Sequence, residues 1–270
     1  MGKVIGIFDS GVGGLTVAKE VFSRLPYEET VYLGDTARVP YGNKSGETVR
    51  RFALECLAFL SQFDLKLVVV ACNTVSSVAI DLLNEKSPVP VVGVVESGAL
   101  GAVQATRNKQ VGVIGTKTTI TSRAYFAAIH KLDPGVTVFE RACPLFVPLV
   151  EEGWYADELA YQVARRYLDP LLDREIDTLV LGCTHYPLLK PVIREVMGAE
   201  VQLIDSAYQS AKEVEQILRG RGELAEQQHG EQKRLFFVTD IPHDFNKVAC
   251  SFLDREEIDV QLANIEGLEI

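Results

Sequence analysis

Two cysteines stand where a thiol could do chemistry. Cys72 closes the run Lys-Leu-Val-Val-Val-Ala-Cys-Asn-Thr at 66–74, and Cys183 closes Asp-Thr-Leu-Val-Leu-Gly-Cys-Thr at 177–184. Each follows a strand-like apolar run and a small residue, and each precedes a segment whose pattern predicts a helix, over 73–84 and 184–197. The N-terminus of a helix favours a thiolate, because its free N–H groups and dipole stabilise negative charge. The plainer reading of a free cysteine is a small buried hydrophobe. Cys56, inside the helical run 47–63, takes that reading, as do Cys143 and Cys250.

Other polar residues gather at comparable places. Asp9-Ser10-Gly11-Val12-Gly13-Gly14 joins the first strand to its helix, and its glycines can bring backbone N–H groups close to a carboxylate or phosphate, or simply make a tight turn. It is neither a dinucleotide fingerprint, since Thr16 falls where the third glycine belongs, nor a P-loop, since no Gly-Lys-Ser/Thr follows. Tyr41-Gly42-Asn43 forms a polar loop after the second strand. Glu151 and Glu152 read either as an exposed acidic helix end or as a carboxylate offered to a cleft. His185, two residues past Cys183, could orient or protonate a thiol. One Cys and one His are too few for zinc, so no metal is expected. A cysteine hydrolase built on Cys183 and His185 is conceivable, but positions i and i+2 at a helix start diverge, and Cys72 would be left without a role.

These residues need a scaffold that presents strand ends. Apolar runs at 4–8, 31–34, 67–71, 91–94, 111–114, 136–139, 178–181, 201–204 and 235–239 read as buried strands, with amphipathic helices between most of them. The fold class is therefore α/β, with parallel central sheets flanked by helices and ligands at the carboxyl ends of the strands. The chain also resembles itself. Beside the two cysteine segments, Val-Ile-Gly-Ile-Phe-Asp-Ser-Gly at 4–11 parallels Val-Gly-Val-Ile-Gly-Thr-Lys at 111–117, which sets Thr116 against Ser10. Glu96-Ser97 likewise parallels Asp205-Ser206. A duplicated unit follows, with two pseudo-symmetric domains around one cleft and Cys72 and Cys183 approaching a ligand from opposite sides as a pair of bases.

Composition limits the partners. The 270 residues are 47% hydrophobic and carry a formal net charge of −10, with no basic cluster to neutralise phosphates, so no nucleic acid is expected. No secretory leader is legible and no apolar run is long enough for a bilayer, so a cytoplasmic protein without a membrane partner is expected. Five scattered cysteines with no Cys-x-x-Cys pair fit reduced thiols.

With Phe-Asp-Ser-Gly-Val-Gly-Gly-Leu at 8–15, Pro-Tyr-Gly at 40–42, Ala-Cys-Asn-Thr at 71–74 and Leu-Gly-Cys-Thr-His-Tyr-Pro at 181–187, the chain resembles the glutamate racemases of the aspartate/glutamate racemase family over essentially its whole length. The resemblance implies interconversion of L- and D-glutamate for bacterial peptidoglycan, no cofactor, glutamate as the small-molecule partner and a homodimer. By the same resemblance the catalytic thiols map to Cys72 and Cys183, and the substrate contacts to Asp9, Ser10, Tyr41, Gly42, Asn73, Thr74, Thr184 and His185. The supporting acid maps to Glu151. Asp9 is expected to tune Cys72, and His185 with Glu151 to tune Cys183. The resemblance further implies that residues 1–97 and 207–270 form the first domain and 98–206 the second. Aspartate racemases look similar around both cysteines but tend to carry an acid at the position of His185, which favours glutamate.

Overall fold

The computed structural model describes residues 3–226, 232–241, 245–254 and 257–270. Its first half runs β1 (Val4–Asp9), α1 (Leu15–Arg24), β2 (Thr30–Gly34), α2 (Gly46–Leu60), β3 (Leu65–Val70), α3 (Asn73–Lys86), β4 (Val91–Gly93) and α4 (Val94–Ala105). A second series follows: β5 (Gln110–Gly115), α5 (Lys117–Thr121), α6 (Ala124–Leu132), β6 (Thr137–Ala142), α7 (Phe146–Glu151), α8 (Glu158–Leu172), β7 (Thr178–Gly182), α9 (Lys190–Met197) and β8 (Gln202–Asp205). Helix α10 (Ser206–Arg221) then carries the chain back to β9 (Arg234–Val238), α11 (Phe245–Leu253) and β10 (Val260–Leu262).

Among the described residues all pairings are parallel, in two sheets with the orders β10-β9-β2-β1-β3-β4 and β6-β5-β7-β8. The order β2-β1-β3-β4 recurs as β6-β5-β7-β8, which is the duplication expected from the sequence. Strands β1, β3 and β7 are buried at every residue, as strands covered by helices on both faces must be. Their side chains alternate between cores: Ile5, Ile7, Leu67 and Val69 face one, while Phe8, Val68 and Val70 face the other. The first of these cores continues into the second sheet through Ile114, Leu179 and Leu181, so both sheets share apolar packing. Among the described residues no helix is long and apolar enough to cross a membrane.

Three expectations change. The helix expected over 184–197 starts only at Lys190; a turn at 183–185 and a 3-10 helix, Tyr186–Leu189, precede it. Pro187 and Pro191 lack the N–H groups that would bond carbonyls 183 and 187, which removes two successive rungs of an α-helix at that point. The runs 136–139 and 201–204 are not buried strands, because β6 and β8 lie at the two edges of their sheet and are partly exposed. Strand β10 was not anticipated; its three residues, Val-Gln-Leu, carry too little apolar pattern to read.

The returning chain is fastened to the first sheet by a buried ion pair. Lys66 pairs with Glu28 and donates to the Glu223 carbonyl at 2.9 Å, while Ala225 N donates to Glu28 Oε1 at 2.8 Å. Lys66 and Glu28 are only 6% and 2% exposed. Removing one partner leaves a buried charge uncompensated, so Glu28→Ala is expected to lower unfolding stability by about 3–5 kcal/mol, with much of it recovered in Glu28→Leu/Lys66→Met. Urea denaturation checks both, and a single variant as stable as wild type would contradict this role.

Candidate active site

The carboxyl ends of the two sheets meet, and strand register sets which residues stand side by side. Phe8 pairs with Val70 in the first sheet and Gly115 with Gly182 in the second. Continuing those registers, Ser10 comes beside Cys72 and Thr116 beside Cys183. The two cysteines are therefore equivalent in topology as well as in sequence.

Cys72 is the N-cap residue of α3 and is 5% exposed. Its thiol donates to Ser10 Oγ at 3.3 Å. Burial and then the negative charge of Asp9 push the thiol up to about 12, against hydrogen bonds from Ser10 and from the Val75 N–H in the first turn of α3. Asp9, at the end of β1, is 1% exposed; its Oδ2 accepts from Gly11 N at 2.9 Å, and its Oδ1 is buried with no hydrogen-bond partner among the described residues. Burial pushes the Asp9 carboxyl up, while the charge of His185 and the N–H groups of Gly14, Gly11 and Ser10 pull it down. Asn73 Oδ1 accepts from the Tyr125 hydroxyl at 2.6 Å, and the buried Asn73 Nδ2 has no partner among the described residues. One unpaired acceptor and one unpaired donor thus lie beside Cys72.

Cys183 is 6% exposed and sits in the turn after β7, not at an α-helix N-terminus. The helix-dipole argument therefore holds for Cys72 and fails for Cys183. An imidazole stands in its place: His185 Nδ1 lies 3.9 Å from Cys183 Sγ and 3.4 Å from Thr184 Oγ1, and Nε2 lies 2.9 Å from Glu151 Oε1. Burial alone would lower the His185 pKa, but hydrogen bonds to Cys183 and Glu151, and their charges, raise it to about 10. The two partners thus favour the charged form of His185. Glu151 ends α7 with its side chain 44% exposed, so it is both the open helix end and the acid that reaches the cleft.

The two clusters touch. A Cβ at Gly13 would lie 2.5 Å from His185 Cε1 and Nδ1 and closer still to Thr184 Oγ1, so only glycine fits. Thr16 Oγ1 donates to the Thr184 carbonyl at 3.1 Å, and Thr74 Oγ1 lies 3.1 Å from Thr116 Oγ1. A Cβ at Gly42 would come within 2.8 Å of Thr116 Cβ. Ser10, Asn73, Thr74, Gly42 and Thr184 thus line one seam with Asp9, His185 and both sulfurs. Tyr41 is turned from it: its phenol donates to buried Asp35 and packs on Phe52, with ring centroids 5.3 Å apart. Cys56 and Cys143 lie in the cores, and Cys250 is partly buried against one.

Sequence reasoning missed Tyr125, which is fully buried and joins the clusters by bonding Asn73 and packing within 3.0 Å of a Cβ built on Gly182, the residue before Cys183. Nothing in the run 124–132 distinguishes it from a core tyrosine. Thr116 did carry a signal, its match to Ser10 in the internal repeat.

The sequence profile of the Asp/Glu/hydantoin racemase family matches residues 16–214. A glutamate racemase of Geobacter metallireducens is 54% identical over 265 residues, covering 98% of each chain. Among solved structures, glutamate racemase isoform RacE1 of Bacillus anthracis superposes with a TM-score of 0.94 at 41% identity, covering 97% of this chain and 98% of that one. The glutamate racemase of Francisella tularensis in complex with D-glutamate gives 0.91 at 38% identity, with 98% of each chain covered.

The His185 pKa makes stability depend on pH with a definite sign. A folded-state value of about 10 against about 6.5 unfolded means that this contribution is complete below 6.5 and is lost as pH rises through 10. Wild-type stability in urea is expected to fall between pH 6.5 and 10 more steeply than that of His185→Gln, and NMR should find the imidazole still protonated at pH 8. An imidazole titrating near 6.5 would refute the assignment.

Proposed function

The chain belongs to the Asp/Glu/hydantoin racemase family, and from that premise we propose that it interconverts L- and D-glutamate with Cys72 and Cys183 as the two proton-transferring groups. The observation that carries this reading is the pair of buried thiols at equivalent strand ends, one beside Asp9 and Ser10 and the other beside His185.

The α-proton of an amino acid is a far weaker acid than a thiol, and each unit of that gap adds about 1.36 kcal/mol to proton transfer unless the site stabilises the carbanion. Chain groups suited to do so surround the seam. Asp9 Oδ1, a buried carboxylate oxygen without a partner, fits the α-ammonium group and keeps its charge next to the reacting carbon. Asn73 Nδ2, an unpaired buried donor, fits a carboxylate, as do the hydroxyls of Ser10, Thr74 and Thr184 and backbone N–H groups of the Gly42 turn. Tyr41 would then contribute by its backbone, since its phenol is held by Asp35.

In one direction the Cys183 thiolate takes the α-proton, the electron pair of the C–H bond stays on carbon, and the Cys72 thiol delivers its proton to the opposite face. The reverse direction exchanges the roles. Burial with the charge of Asp9 keeps the proton on Cys72, which suits it to deliver that proton, while His185 stands 3.9 Å from the Cys183 sulfur on the other side. Glu151, bonded to Nε2, positions and charges His185. The proposal includes the domain division 1–97 plus 207–270 and 98–206, a cytoplasmic homodimer, and D-glutamate as a peptidoglycan precursor.

The test follows the circular dichroism of L-glutamate in D₂O with no cofactor added, L-aspartate in parallel, and mass spectrometry of the product. Decay to zero with deuterium at the α-carbon, for glutamate and not aspartate, is the expected result. Cys72→Ala and Cys183→Ala should each lower inversion by about 10²–10⁴-fold, the usual reach of a general acid or base. Either variant racemising at the wild-type rate would end the two-thiol reading. Asp9→Asn should lose turnover as well, and full activity in that variant would remove Asp9 from the proposal.

A further inference from the structure

Outside the sulfur clusters, the seam between the two sheets' helices opens into a groove of about 480 Å³, lined by Gly42, Lys44 and Val78 on one side and Lys117, Thr118 and Ser122 on the other, among others. No aspartate or glutamate is among its lining residues, although the chain as a whole has 37 acidic side chains against 27 basic ones. Lys44 and Lys117 have no ion-pair partner among the described residues. Arg50 Nε donates to the Val78 carbonyl at 2.7 Å, which brings a third cation to the rim. Arg38, Lys44 and Arg51 approach the ring of Phe52, 3.9, 5.9 and 5.2 Å from its centroid. Glu47, in the first turn of α2, and Asp81, on α3 beyond Val78, lie outside the lining.

The groove abuts the site. Thr118 Oγ1 sits 2.9 Å from the Gly42 carbonyl and 3.2 Å from that of Lys44, so one hydroxyl spans the seam at the turn assigned to substrate. A ligand held in the groove would lie against that clasp, one residue from the Gly42 turn.

We infer that this groove is an outer subsite for a small dicarboxylate, the substrate itself, in which Lys44 and Lys117 hold a carboxylate before the seam at Thr118 admits it. The inference rests on the glutamate-racemising reading. A cleft lined by one sign of charge in an otherwise acidic protein concentrates anions locally, an effect that salt removes. Neither lysine touches the reacting atoms, so the effect falls on substrate capture and not on the chemical step.

The decisive comparison is KM and kcat for L-glutamate across ionic strength in wild type, Lys44→Gln/Lys117→Gln and Lys44→Glu/Lys117→Glu. The glutamine pair is expected to raise KM about three- to tenfold at low ionic strength with kcat held, the glutamate pair more, and both differences should vanish in high salt. Unchanged KM at low salt, or kcat falling in step with a salt-independent KM, overturns the subsite. Calorimetric titration of glutarate into wild type and the glutamine pair separates this outcome from failure of the racemase reading. Weaker glutarate binding in the variant supports the subsite even in a protein that turns nothing over, and equal binding refutes it. Inorganic phosphate should raise the wild-type KM no more than chloride at matched ionic strength; a rise specific to phosphate overturns the assignment to a dicarboxylate.

Discussion

The turn that holds Thr184 and His185 occupies the space where any other residue at position 13 would carry a Cβ, and the rest of the site depends on that approach. Because Gly13 yields the room, His185 comes close enough for its charge to act on Asp9, and Asp9 in turn acts on Cys72. Electrostatic coupling across the seam therefore runs through one carboxylate. Thr16 fixes the same approach from the first turn of α1 by bonding both the Gly13 and the Thr184 carbonyls, at 2.9 and 3.1 Å. Any change that lengthens the Gly13 contact weakens packing and thiol electrostatics together.

Two sulfurs that are equivalent by register thus sit in unlike surroundings. Cys72 has a helix N-terminus, which favours a thiolate, and a buried carboxylate, which opposes it; burial with the carboxylate prevails. Cys183 lost its helix start to Pro187 and Pro191 and has His185 instead, whose pKa is raised by its hydrogen bonds to Cys183 and to Glu151. The same duplication that made the sulfurs equivalent in position left their electrostatics free to diverge, since the charged neighbours are not repeated: Asp9 ends β1 where Gly115 ends β5, and His185 and Glu151 stand in a turn and at a helix end of the second half.

That division also explains what could be read from the sequence. Strands covered on both faces are continuous apolar runs, so β1, β3 and β7 were legible to within a residue or two, and the two cysteines stood out because each closes such a run. Edge strands are harder: β6 and β8 were found but taken as buried, and β10 passed unread. The helix expected from Thr184 failed because apolar spacing persists through 3-10 and α segments alike, while two prolines decide where N–H donors are missing. Asp9, Ser10 and His185 were legible as polar residues at strand ends. Tyr125 was not, because a tyrosine in an amphipathic helix gives no sign of which partner its hydroxyl will meet far along the chain.

An acidic chain that takes an acidic ligand needs donors, and among the four motifs none is an arginine. The arginine nearest to them, Arg38, is turned to Asp35 and Glu55 and is spent on the buried network that also holds the Tyr41 phenol. Neutral donors, hydroxyls and backbone N–H groups, are left to meet the carboxylates. Under the proposed reaction this has a thermodynamic consequence. Enantiomers have equal free energy in water, so the equilibrium constant is one and kcat/KM must be the same for both hands, however unlike the two thiols are. The asymmetry between Cys72 and Cys183 can therefore shift kcat and KM between the two directions only in compensation. A rigid arginine fork matched to one hand's ground state would hold that hand tightly and gain nothing in kcat/KM for either, whereas rotatable hydroxyls can follow the carboxylates as the α-carbon inverts.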